Sequence, residues 1–237
     1  MKRCLLSLIG GVLLLASLFV NISAATVACE NLSPEEQTRL VKQLDFRAVE
    51  DKTLLNDGMV TFDVSEKHEI AIGLLNDVIL ILDKNFQIFR MYRFNPCGSY
   101  YIYWEGENLC LYFIRGDYLY TISQQGHISN VQKVAQESND ALNKELQSRT
   151  SLERDGITYK ATKTKNVLSN FFAGYSYDTL TLQKTDGDEF IVFHADKNSN
   201  SRVAWVFLIV FGIIMVCALP FFLFIPKQIR KRKTYKP

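Results

Sequence analysis

The sequence predicts a mainly β domain with flanking helices (α+β), an antiparallel β-meander of blade-like units held outside a membrane by one transmembrane helix. Three observations predict it. Short apolar runs alternate with Gly, Asp and Asn turn signals between residues 59 and 134. A 23-residue stretch, 203–225, carries no charge. Charge is also segregated along the chain. All 25 acids lie in residues 26–202 against nineteen bases, a net −6, while residues 226–237 hold six bases and no acid. The whole-chain charge of +2 hides this split. A basic nucleic-acid binder is excluded, because the part that folds has no basic surplus.

The N-terminus reads as a signal peptide over residues 1–25. Lys2 and Arg3 form a positive start, Leu5 to Val20 is apolar, and Ser23-Ala24-Ala25 offers a small-residue exit. An uncleaved anchor is the competing reading, and Ala28-Cys29 leaves a lipoprotein reading open. Residues 203–225 read as the transmembrane helix, about 34 Å long at about 1.5 Å per residue. The basic tail 226–237 places the C-terminus in the cytoplasm, so residues 26–202 are extracytoplasmic and the chain is a single-pass protein of the cell membrane. Either fate of the N-terminal segment gives the same orientation.

The 177 residues of the outer part are enough for one domain with its own core. Ser33-Pro34-Glu35-Glu36 starts a helix, with Ser as N-cap, Pro at the first helical position and Glu three residues after the cap. Leu40, Val41, Leu44 and Val49 extend its periodicity to about Val49. Asp57-Gly58 turns into a strand at Met59–Val64, and Glu69–Leu75 forms the next. Val78–Leu82 is wholly apolar, which predicts burial on both faces. Asp83-Lys84-Asn85 turns into Phe86–Phe94. Strands at Tyr100–Trp104, Leu109–Ile114, Tyr118–Ile122 and His127–Val134 follow, separated by Gly-containing turns. Gln132–Thr150 reads as a helix with a thin apolar stripe of Val134, Leu142 and Leu146. Strands at Gly156–Lys163, Tyr177–Lys184 and Glu189–His194 close the domain, and residues 196–202 form a short polar tether.

Two units emerge, residues 69–94 and 99–134, each running strand, turn, strand. The stretch from Leu109 to Ile128, with its apolar strand, Arg115-Gly116-Asp117 turn, Leu119-Tyr120 strand and Gly126 turn, resembles the short antiparallel blades of β-propeller repeats. Asn76 to Ile88 is similar. The resemblance covers residues 69–134 and implies blade-like sheets. A closed propeller needs at least about four blades, more than 177 residues with two helices accommodate.

Outside the predicted signal and span lie Cys29, Cys97 and Cys110. An extracytoplasmic site permits disulfides, and Cys97 with Cys110 is the expected pair. If the 105–108 turn pairs Glu105 with Asn108, Cys110 faces Tyr103, and Cys97 must then come from a third strand. Pairs with Cys29, or three free thiols, remain open. His68, His127 and His194 are isolated in sequence, and neither a metal-ligand spacing nor a phosphate loop nor a nucleophile elbow is present. No catalytic, cofactor-binding or metal residue is assigned, and no cofactor is expected. On the strand at Tyr100–Trp104, alternate residues face opposite ways. Tyr101, Tyr103 and Trp104 are the candidate partner or ligand surface, because exposed aromatics mark recognition sites.

The function expected is a membrane-anchored binding or accessory domain working with another membrane protein at the lipid bilayer. The alternative is a membrane-tethered hydrolase using carboxylates such as Asp83, Asp117 or Asp186.

Overall fold

The computed structural model describes residues 27–95, 98–163, 176–185, 187–195, 208–213 and 215. The predicted signal peptide, the segment 164–175, most of the predicted span and the basic tail lie outside these residues. Residues 208–213 and 215 are helical. Among the described residues no helix is long and apolar enough to cross a membrane.

The chain is mainly β, and among residues 27–195 the described part holds three antiparallel sheets and two α-helices. A short strand β1 (Cys29–Asn31) leads into helix α1 (Pro34–Leu44). Ser33 Oγ accepts from the Glu36 amide at 3.2 Å, as the capping pattern requires. The helix stops at Leu44, short of the expected Val49, because Asp45 turns left-handed (φ 47, ψ 48) and the chain peels off into a two-residue strand, β2 (Arg47–Ala48).

Three meanders of four consecutive strands follow. The first sheet holds β3 (Met59–Val64), β4 (Ile70–Leu74), β5 (Val78–Leu82) and β6 (Ile88–Arg93), with β2 added beside β6. The second holds β7 (Tyr100–Glu105), β8 (Asn108–Phe113), β9 (Tyr118–Ile122) and β10 (Ile128–Val134), with β1 added beside β10. Helix α2 (Gln136–Ser148) separates it from the third, β11 (Ser151–Arg154), β12 (Ile157–Thr162), β13 (Thr179–Gln183) and β14 (Glu189–His194). The helix expected over Gln132–Thr150 is thus trimmed at both ends. Its start belongs to β10, which pairs with β9 and β1. Its end precedes β11, which hairpins onto β12 through Asp155-Gly156, both with positive φ (51° and 74°).

The first sheet lies between the other two. One face (Ile72, Leu74, Leu80, Met91) packs on Tyr159, Leu180 and Leu182 of the third sheet. The other (Ala71, Ile79, Ile81, Tyr92) packs on Ile102, Leu111 and Tyr120 of the second. Every residue of β4 and β5 is therefore buried, which accounts for the unbroken apolar run of Val78–Leu82. Burying each such side chain contributes about 1.5–3 kcal/mol. The outer face of the second sheet is covered by Leu142 and Leu146 of α2.

Strand polarity defines two ends. The hairpin turns β3–β4, β7–β8 and β11–β12 meet at one end, where Lys67 pairs with Glu107 and His68 Nε2 lies 3.2 Å from Asp155 Oδ2. The connections β4–β5 and β8–β9 lie at the other, where Met59 bridges Tyr177. We call these the Lys67 end and the Ser176 end. β1 begins opposite Val134, and the Ala195 amide donates to Asp178 O at 2.8 Å. The described segment thus enters at Val27 and leaves at Ala195 on the same side, at the Ser176 end.

Candidate functional site

The aromatic strand β7 has both faces in use. Trp104 lies with Tyr100 and Ile102 against the first sheet. Tyr101 and Tyr103 lie on the opposite face, beside Cys110 and α2. All three candidate residues are half-buried, so they do not form one surface. Tyr103 pairs across the ladder with Cys110, and Glu105 with Asn108, the register the turn implied. Cys110 is a fully buried free thiol and Cys29 is free as well. Cys97, its expected partner, lies outside the described residues. Burial, and then the Glu105 carboxylate, push the Cys110 thiol up to about 12. Burial first also raises the Tyr103 hydroxyl well above its ordinary value.

The hydrolase carboxylates are not brought together. Asp83 serves the β5–β6 turn, where its Oδ1 accepts from the amides of Asn85 and Gln87, each at 2.9 Å. Asp117 lies at the Ser176 end and accepts from Asn139 Nδ2 at 2.6 Å. Asp186 lies outside the described residues. Among the described residues no group of three His, Cys, Asp or Glu is placed to hold a metal ion.

The buried charge sits where the first strands of the sheets converge. Asp63 on β3 is 5 % exposed. Its Oδ1 lies 3.1 Å from Arg149 Nη1, and its Oδ2 accepts from the Trp104 amide of β7 at 2.6 Å. Burial raises the Asp63 carboxyl, against the pull of Arg149 and the amides. Arg149 also holds Glu145 at 2.8 Å, and Arg154 Nη2 donates to Val64 O at 3.0 Å. One carboxylate therefore ties together the first sheet, the second sheet and the α2–β11 junction. Its coordination is that of a structural clasp, because its oxygens already have protein partners.

Open space among the described residues includes three places, one of them a pocket of about 530 Å³ lined by residues 46–50, 89–92 and 125–127. At the Ser176 end a cavity of about 560 Å³ is bordered by Leu75, Asp77, Tyr100, Tyr101 and Ser176. Burial raises the Asp77 carboxyl there. At the Lys67 end a cleft of about 170 Å³ opens between the first and second sheets. Lys67, Glu69, Phe89, Arg90, Trp104 and Glu107 line it. Phe89 is 51 % exposed, at the irregularity where β6 slips against β5. Arg90 caps its ring at 4.5 Å and donates to Gln124 O. Sequence reading missed this cleft, because its residues come from five strands and three separate turns. The one local signal was the apolar trio Phe86, Ile88 and Phe89 beside a charged turn.

No family model matches the chain, and no curated protein matches it. Among solved structures it is similar to one titled "Streptogramin B lyase structure", with a TM-score of 0.30 and 10% identity, over 64% of this chain and 45% of that one. The chain thus spans less than half the length of that structure, and so slight a likeness defines neither a shared fold nor a shared activity. What the architecture itself defines is a mainly β protein of stacked antiparallel sheets.

Proposed function

We propose that this chain is a binding or accessory domain held at the outer face of a membrane, working with a membrane protein partner. The observation that carries it is the shared exit of Val27 and Ala195 at the Ser176 end. Both apolar stretches of the sequence, 5–20 and 203–225, then attach to that end. Residues 196–202 reach at most about 24 Å at about 3.4 Å per residue, which keeps the Ser176 end close to the bilayer. The Lys67 end and its cleft point away, toward the extracytoplasmic space. We also read the three sheets as the blade-like units of an open, partial propeller, since the first strands β3, β7 and β11 lie together at the centre.

The test is fractionation of the full chain with alkaline carbonate washing, followed by affinity purification in mild detergent. The expected result is retention in the membrane fraction with a stoichiometric membrane protein alongside. Release into the soluble fraction, or a solitary protein, overturns the reading.

A further inference from the structure

We propose that the cleft at the Lys67 end is a saccharide-binding subsite that takes one neutral pyranose unit. The inference rests on the reading of the chain as a binding domain. Four charged groups line the cleft, Lys67 and Arg90 against Glu69 and Glu107. Their formal charges cancel, so neither an anion nor a cation gains a net Coulombic advantage there. A neutral polyol suits such a lining, because each hydroxyl both donates and accepts. Carboxylates accept from it, and the ammonium and guanidinium donate to it.

The apolar part of the wall points to a ring. Phe89 of the first sheet and Trp104 of the second both line the cleft. Phe89 is held out on a strand edge that β2 leaves uncovered, since β2 pairs only with Tyr92 and Arg93. The Phe89 ring is half exposed there, with Arg90 over one face. An organic ammonium is the competing guest for aromatic walls. Here Arg90 already sits 4.5 Å over the Phe89 ring, so a second cation would be repelled. The volume of about 170 Å³ lies below the usual 300–1,000 Å³ of sites for drug-sized ligands and fits one small unit, and the pocket of about 530 Å³ beside it shares Phe89, Arg90 and Tyr92. A free sugar and the terminal unit of a glycan share this chemistry.

The experiment uses the full chain in a detergent without a sugar headgroup. Free glucose, galactose and N-acetylglucosamine are tested by saturation-transfer NMR, and an oligosaccharide array tests the glycan source. Glycine betaine and acetate serve as charged competitors. The expected result is binding of at least one neutral saccharide, weakened about tenfold or more by Glu69→Gln and by Phe89→Ala. A signal confined to the free sugars assigns a small-molecule ligand, and one confined to the array assigns a glycan. Both variants alter side chains at the cleft rim, and an unchanged melting curve shows that they fold. Three results would overturn the proposal: no saccharide binding by the wild-type chain, preferential binding of betaine or acetate, or saccharide binding indifferent to both variants. Membrane retention is measured without any sugar, so failure here and failure of the anchoring proposal are separable.

Discussion

Single residues decide how the three sheets are joined. Asp63 is the clearest case, since its two oxygens reach partners on two other parts of the fold. Replacing it with Ala leaves the Arg149 guanidinium without its buried partner and the Trp104 amide without an acceptor. The expected cost is about 3–5 kcal/mol, read from chemical denaturation. Asp63→Asn should cost less, because an amide oxygen still accepts from Trp104. Cys110 gives a pH test. Its thiol is raised to about 12 in the fold, above its ordinary value of 9.0. The native chain therefore keeps a proton that the unfolded chain releases. The stabilisation is complete below pH 9 and is lost as pH rises from there toward 12. Iodoacetamide at pH 8 should leave Cys110 unmodified in the native chain and label it in urea. Gly73 acts through space rather than charge. A Cβ there would lie 2.7 Å from Thr61 Cγ2 and 2.8 Å from Tyr100 Cε2. Tyr100 needs that room to donate from its hydroxyl to Leu74 O at 2.6 Å. Gly73→Ala should cost about 1–3 kcal/mol by overpacking, with a matching fall in Tm.

Elements that carry their own turn chemistry were legible in the sequence. Met59–Val64, Val78–Leu82, Tyr118–Ile122 and Glu189–His194 form strands with the bounds read from their flanking turns. The Ser33 cap fixed the start of α1 in the same way. What failed depended on distant partners. β1 and β2 have three and two residues, too few to show a period, and exist only because β10 and β6 offer free edges. The Gln132–Thr150 helix was overextended because a thin apolar stripe cannot tell the end of a strand from the start of a helix. Asp155-Gly156, with positive φ at both residues, is the local signal for the β11–β12 hairpin. The cleft was invisible for a related reason. Phe89 falls where the β5–β6 register shifts, so strict alternation misassigns its face. Helix α1 offers a test at this scale. Asp45 holds a left-handed conformation (φ 47, ψ 48) that Gly adopts without strain. Asp45→Gly should raise stability by up to about 1 kcal/mol, seen as an increase in Tm.

At the scale of the whole molecule, the outer faces of the second and third sheets differ among the described residues. Helix α2 covers that of the second, and the third sheet carries exposed Glu153, Lys160 and Gln183 together with exposed Ile191. A peptide tag inserted between Glu105 and Asn108, at the Lys67 end, should be accessible to antibody on intact cells, while a tag after Pro237 should require permeabilisation. Each sheet is a local meander, yet the second is finished by a strand from far away, with Gln132 Nε2 donating to Asn31 Oδ1 across 101 residues. During synthesis from the N-terminus, Cys29–Asn31 emerges long before the edge it must join. At about 5–20 residues per second, that strand waits some seconds as an unpaired segment until β10 arrives. The fold therefore contains a built-in interval in which its leading residues stay unpaired, and the interval ends only when the second sheet is nearly complete.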